Sequence, residues 1–246
     1  FYKIYLTGLL TILALPILRW PIYFSPSNWS KTIVFQIIFS ILLLFFLYQT
    51  LWRKHSGIFN WIRKISIENT AFWLLLALFG TQLLATIFSL DSNHSLFGSP
   101  DRGGGFINYG FYLLFAIVTF LVIKESDWQK LWNWAIFIGS LVSIIAIIFW
   151  LIILFNPLMD PAGLLGATIG GPNTLALYLL LLVFPTLSFA VKTKNRVKKS
   201  FYIAVLLILC LAMAFTTSKG AWRGLIAGLA YFLFLYPKKS RKCSLV

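Results

Sequence analysis

The sequence predicts an all-α fold, a polytopic integral membrane protein of about eight transmembrane helices, and three observations predict it. Hydrophobic residues fill 60% of the 246 positions, charged residues only 11%, and the mean hydropathy is +0.88, which is too apolar for a soluble domain. The apolar residues fall in runs near the roughly 20 residues that a helix needs to cross a bilayer. Between the runs the cations alternate: with Lys3 placed inside, the inner segments hold 16 of the 21 lysines and arginines. Positive charge stays on the cytoplasmic side, so both termini are expected to face the cytoplasm. The net charge of +15 then reflects orientation, and no nucleic acid partner is implied.

The candidate spans are 2 to 20, 32 to 51, 71 to 90, 105 to 123, 131 to 155, 173 to 191, 201 to 217 and 221 to 236, forming a single transmembrane domain over 1–246. Of the two cysteines, Cys210 falls inside a span and Cys243 in the tail, so no disulfide or metal framework follows. Neither a metal nor a cofactor is expected.

The connections differ in character. The first outer loop, 20–31, is rich in proline and aromatic residues and suits an anchor at the headgroup level. The inner loop 52–70 carries four cations and is expected to lie along the inner leaflet. Residues 124–130 have balanced charge and are expected to form an inner turn before the span at 131.

Two outer loops carry more chemistry. The segment from Ser89 to Phe106 contains Asp91, His94 and the run Pro100-Asp101-Arg102-Gly103-Gly104-Gly105. Pro-Asp-Arg-Gly is turn chemistry, and closely spaced glycines let backbone N–H groups approach an anion. A plain turn, with Asp101 and Arg102 paired or solvated, fits the same residues. His94 is the one histidine placed outside, a candidate acid or base. The segment 156–176 has no cation, and its apolar, glycine-bearing middle is expected to dip into the membrane, where protein or a wet cavity must satisfy its backbone. Pro172 suits the first turn of the next helix. Asn173 would then stand at the mouth of a cavity with two donors and an acceptor.

The last outer stretch runs Thr216-Thr217-Ser218-Lys219-Gly220-Ala221-Trp222-Arg223-Gly224. A helix beginning at Ser218 puts Lys219 and Arg223 on one face of its first turn. Cations there oppose the helix dipole, whereas an external anion completes both the charges and the free N–H groups. Snorkelling of the two side chains to outer headgroups is the other reading. The hydroxyls of Thr216, Thr217 and Ser218 suit a helix cap and also a ligand.

Three stretches together resemble the bacterial O-antigen ligase and O-antigen polymerase family. Ser89, Asp91, Ser95, Gly98, Arg102 and Gly105 are in step with one of that family's outer loops. The run Gly170-Gly171-Pro172-Asn173-Thr174-Leu175-Ala176 resembles its Gly-Asn-Pro-Asn type motif, and Thr217-Ser218-Lys219-Gly220-Ala221 resembles its Thr-Ser-Arg-Gly-Ala motif. The resemblance implies a metal-independent glycosyltransferase of the bacterial inner membrane. Such an enzyme moves a glycan from a polyprenyl-diphosphate carrier to a hydroxyl of a glycolipid, a glycan or a protein. It implies that Lys219, Arg102 and Arg223 bind the diphosphate, and that Asn173, Ser218, Gly220 and Asp91 line the cavity. Lys219 stands where the motif has arginine, and the family's long outer loop with its arginine and histidine does not occur within these 246 residues. The chain is therefore expected to be the N-terminal portion of such an enzyme, inactive alone. The alternative, from another class, is a transporter or flippase for a lipid-linked or anionic solute. Ionisable residues normally mark such a path, and the predicted span centres hold none.

Overall fold

The structure, a computed structural model, describes residues 2–18, 27–52, 70–98, 104–156 and 166–243. Among these residues it is all-helical, without a strand. The chain divides into two compact units, 1–131 and 132–246.

The first unit holds α1 (Tyr2–Ala14), a short 3-10 turn (Leu15–Ile17), α2 (Ser27–Trp52), α3 (Thr70–Ile87), α4 (Ser92–Phe97) and α5 (Phe106–Val122). Tyr5, Leu9 and Ile12 recur at helical spacing on α1 and are buried in one cluster with Phe35, Phe39 and Leu42 of α2. A Cβ added at Gly8 would lie 2.8 Å from both methyls of Leu42, so the missing side chain is what lets α1 approach α2. From α5, Phe115 meets Phe35 and Phe39 edge-on, with centroids 5.3 and 5.5 Å apart. Polar side chains in this apolar setting are paired. The hydroxyls of Tyr5 and Thr119 lie 3.1 Å apart, and the Gln36 amide donates to the Asn108 side-chain oxygen. Gln36→Leu removes that bond between α2 and α5 at nearly constant volume. It is expected to destabilise the protein by about 0.6 to 1.7 kcal/mol, the range for hydrogen bonds between membrane helices, as read by unfolding in mixed micelles.

Helix α6 (Glu125–Phe155) begins in the first unit and continues into the second. This corrects the expected turn at 124–130, because only Ile123 and Lys124 lie between α5 and α6. The reason is local electrostatics: Glu125 and Asp127 occupy the first turn, where the dipole favours acids. Asp127 also accepts 2.7 Å from Lys130 one turn on, and accepts from the Tyr2 hydroxyl.

The second unit contains the rest of α6, then α7 (Pro172–Lys192), α8 (Arg196–Phe215) and α9 (Lys219–Cys243). Pro172 occupies the first turn of α7, as expected from its missing N–H. The α7–α8 pairing dominates this unit. Thr193 to Asn195 join the two helices, and the Asn195 side chain caps α8 by accepting from Val197 and Lys198 at 2.9 and 3.4 Å. Near that end the Tyr202 hydroxyl donates 3.0 Å to Asn133 of α6. Helix α9 packs on α7 through glycines, since a Cβ at Gly224 would lie 2.9 Å from Leu180 and one at Gly228 only 2.1 Å from the Phe184 ring.

Each expected span overlaps a helix among the described residues, and four helical segments are long and apolar enough to cross a membrane: Ser30–Thr50, Glu125–Phe155, Pro172–Lys192 and Arg196–Phe215. Tyr2–Ile17, Trp73–Ile87 and Phe106–Val122 are shorter apolar helices. A lipid bilayer is the environment these helices fit. Most of the first outer loop, the basic inner loop 53–69, the turn at 99–103 and the apolar stretch 157–165 lie outside the described residues.

Candidate functional site

The site at the start of α9 is built by a tight reversal of the chain. Helix α8 ends at Phe215, and three residues later α9 begins. Thr216 is buried, and its hydroxyl donates 2.7 Å to the Met213 carbonyl and accepts from the Ser218 N–H at 3.4 Å. That hydroxyl therefore closes the end of α8, in contrast to its expected availability to a ligand. Thr217 takes φ +54°, a left-handed conformation that a β-branched residue rarely adopts and that turns the chain back.

The expected helix is present, starting at Lys219 rather than Ser218, with the Trp222 N–H donating 3.3 Å to the Ser218 carbonyl. Lys219 and Arg223 are both exposed and lie four residues apart, hence on one face. The opposite face carries Ala221 and Leu225, which are buried, and the glycines that touch α7. Packing of that face thus turns the two cations away from the unit's core. A Cβ added at Gly220 meets nothing within 4 Å, so space is open beside the backbone of the first turn.

Two starts of helices in this unit carry cations, and they are finished differently. Arg196, Lys198 and Lys199 open α8, but there the Asn195 side chain fills the N–H groups. At α9 the Ser218 hydroxyl makes no hydrogen bond among the described residues. Neither Lys219 nor Arg223 meets a carboxylate among them. The one acid in the second unit's sequence, Asp160, lies outside the described residues.

Asn173 is exposed in the first turn of α7. The contacts Gly224 with Leu180 and Gly228 with Phe184 share one offset, so α7 and α9 run in parallel register. The same step back along both helices brings Asn173 level with Thr217. The structure therefore brings Asn173, Ser218, Lys219, Gly220 and Arg223 to one end of the second unit. Just before α7, Ala167 and Thr168 are each only 3% exposed, so the described end of that segment is buried rather than standing in water.

Asp91 belongs to the first unit and has a local task. Its carboxylate caps α4 by accepting from the His94 N–H at 3.0 Å, and its own N–H donates 3.2 Å to the Ser89 hydroxyl. Ser95 donates to Ser89 at 2.5 Å, which folds α4 back on the end of α3. Gly98 takes φ +76°, and a Cβ at Gly105 would lie 2.3 Å from the Phe97 carbonyl carbon. The two ends of this loop thus meet backbone to backbone, and Arg102, between them, lies outside the described residues. Gly105→Ala has no flexible neighbour to displace. It is expected to separate the loop ends at a cost of about 1 to 3 kcal/mol, visible as faster hydrogen exchange of the amides around 95–107.

Beside the closed loop lies a cavity of about 310 Å³ lined by residues of α3, α4 and the start of α5, among them Gln82, Thr86, His94 and Phe106. The lining residues on α3 fall inside an apolar run, which is why span counting passes over them. Comparison with protein-family models, with curated proteins and with solved structures finds no match to this chain.

Proposed function

We propose that this protein is an O-antigen ligase-like membrane glycosyltransferase component, which holds a glycan donor by its polyprenyl diphosphate at the outer face of a bacterial inner membrane. The acceptor is a hydroxyl of a glycolipid, a glycan or a protein, and the helices other than the short α4 make eight spans with both termini in the cytoplasm. One observation carries the reading: α9 starts with two exposed cations and an open glycine backbone beside a Ser218 hydroxyl that makes no hydrogen bond among the described residues, and no carboxylate among those residues meets either cation. A diphosphate supplies what each of these groups lacks, because its oxygens accept from N–H, O–H and ammonium donors together. The motif resemblance also gives Arg102 a part in diphosphate binding, and Asn173, exposed at the start of α7, is proposed to line the same cavity. Transfer also requires a base for the acceptor hydroxyl, to which no residue is assigned.

The test is binding of a short-chain polyprenyl diphosphate to the purified protein in nanodiscs, alongside the matching polyprenol and phosphatidylglycerol. Preference for the diphosphate over both is expected. Equal binding of phosphatidylglycerol would reduce Lys219 and Arg223 to headgroup anchors and overturn the reading. Movement of the lipid across the bilayer with no new glycosidic bond formed would favour a flippase.

A further inference from the structure

At the end of the second unit away from the donor clamp, the turn between α7 and α8 concentrates positive charge. Lys192, Lys194, Arg196, Lys198 and Lys199 fall within eight consecutive residues that include no aspartate or glutamate, and all five are exposed. Holding the turn together is not their task, because the Asn195 side chain already caps α8. Arg196, Lys198 and Lys199 even stand in the first turn of α8, where the helix dipole disfavours cations. Two further observations put this turn at the level of lipid headgroups. Val197 and Phe201, four residues apart and so on one face of α8, are 78% and 53% exposed directly beside the cations. The hydrogen bond from Tyr202 to Asn133 brings the exposed Trp132 and Trp134 of α6 level with the start of α8, and tryptophan gathers at the boundary between hydrocarbon and water.

We infer that the α7–α8 turn is a docking surface that retains anionic phospholipid. Phosphate oxygens accept from the ammonium and guanidinium groups, and each such bond is strengthened by charge. The glycerol and upper acyl carbons of the same lipid cover Val197 and Phe201, which water would otherwise meet. An acidic soluble partner would match the charges equally well, but it would have to lie on a surface that apolar side chains and tryptophans mark as the edge of a bilayer. Orientation by positive charge needs no lipid to stay bound. Retention of a lipid at this turn after the bilayer is removed is therefore a separate property, and it does not depend on the donor clamp.

Native mass spectrometry of the detergent-solubilised protein with cardiolipin, and with phosphatidylcholine as the zwitterionic control, tests it. Cardiolipin is expected to be retained over phosphatidylcholine by about tenfold or more, with the preference falling as ionic strength rises. The triple variant Lys194→Ala, Arg196→Ala, Lys198→Ala should lose about tenfold or more of that retention, since each cation near anionic lipid contributes about fivefold. The double variant Lys194→Arg, Lys198→Arg keeps the charge and should keep the lipid. Without lipid, the triple variant should unfold at the parent's temperature or slightly above it, because the cap at Asn195 is intact and dipole repulsion is relieved. Lys219→Ala should leave cardiolipin retention unchanged, and the triple variant should leave polyprenyl diphosphate binding unchanged, so the two sites fail separately. Equal retention of both lipids, full retention of cardiolipin by the triple variant, or displacement of cardiolipin by a short single-stranded oligonucleotide would overturn it.

Discussion

Lys219→Ala is expected to weaken binding of a polyprenyl diphosphate by about 10- to 100-fold, and glycan transfer by at least as much. A hydrogen bond to a charged group contributes about 1.5 to 3 kcal/mol, and each 1.4 kcal/mol is tenfold in affinity. The same substitution should act in the opposite direction on the free protein. A cation in the first turn of a helix is destabilising by a few tenths of a kcal/mol to about 1. The alanine variant without ligand should therefore be as stable as the parent or slightly more so. Loss of binding combined with unchanged or raised stability is the signature of a residue kept for a ligand. Lys219→Arg should retain or raise binding, because the guanidinium adds a bidentate fork to the same charge. Lys199→Ala should change nothing, since Asn195 already caps its helix start. Both cations are exposed, so the affinity should also fall as ionic strength rises. Alanine variants that bind the diphosphate as the parent does would remove Lys219 from the site.

The apolar runs were legible because length and composition suffice to mark a helix in lipid. The boundaries were less so. The span expected from 131 belongs to a helix starting at Glu125, since acids at a dipole's positive end extend a helix beyond its apolar part. Likewise α8 begins at Arg196, ahead of the expected 201, because Asn195 caps it there. The shared face of Lys219 and Arg223 was readable from their spacing alone, and the helix start behind it from the polar run that precedes it. The left-handed turn at Thr217 was not, because the residue is β-branched and a glycine would normally signal it. The cavity beside α4 was missed for another reason. Gln82 and Thr86 are single polar residues in an apolar run, and only the fold places them beside His94.

The sequence carries a further packing signal: Gly220, Gly224 and Gly228 recur at intervals of four, the spacing that lets membrane helices approach closely, and the last two touch α7. Gly228→Ala is expected to destabilise the protein by about 1 to 3 kcal/mol. Its Cβ would lie 2.1, 2.8 and 2.9 Å from three atoms of the Phe184 ring. A ring edge cannot step aside as a methyl can. Gly139 makes the contrast, since its added Cβ would meet one terminal methyl of Leu182 at 2.1 Å and nothing else within 3.4 Å. A change in the leucine rotamer relieves that clash, so Gly139→Ala should cost less. Phe184→Leu should remove much of the clash at 228, so the double variant Gly228→Ala with Phe184→Leu should be more stable than the sum of the single effects predicts. Contacting pairs show such coupling at about 0.5 to 3 kcal/mol. The same register sets the height of Lys219 relative to Asn173, so Gly228→Ala should weaken diphosphate binding and the Phe184→Leu partner should restore it. Additive stabilities, or binding that ignores Gly228→Ala, would show that the glycine contact does not position the start of α9.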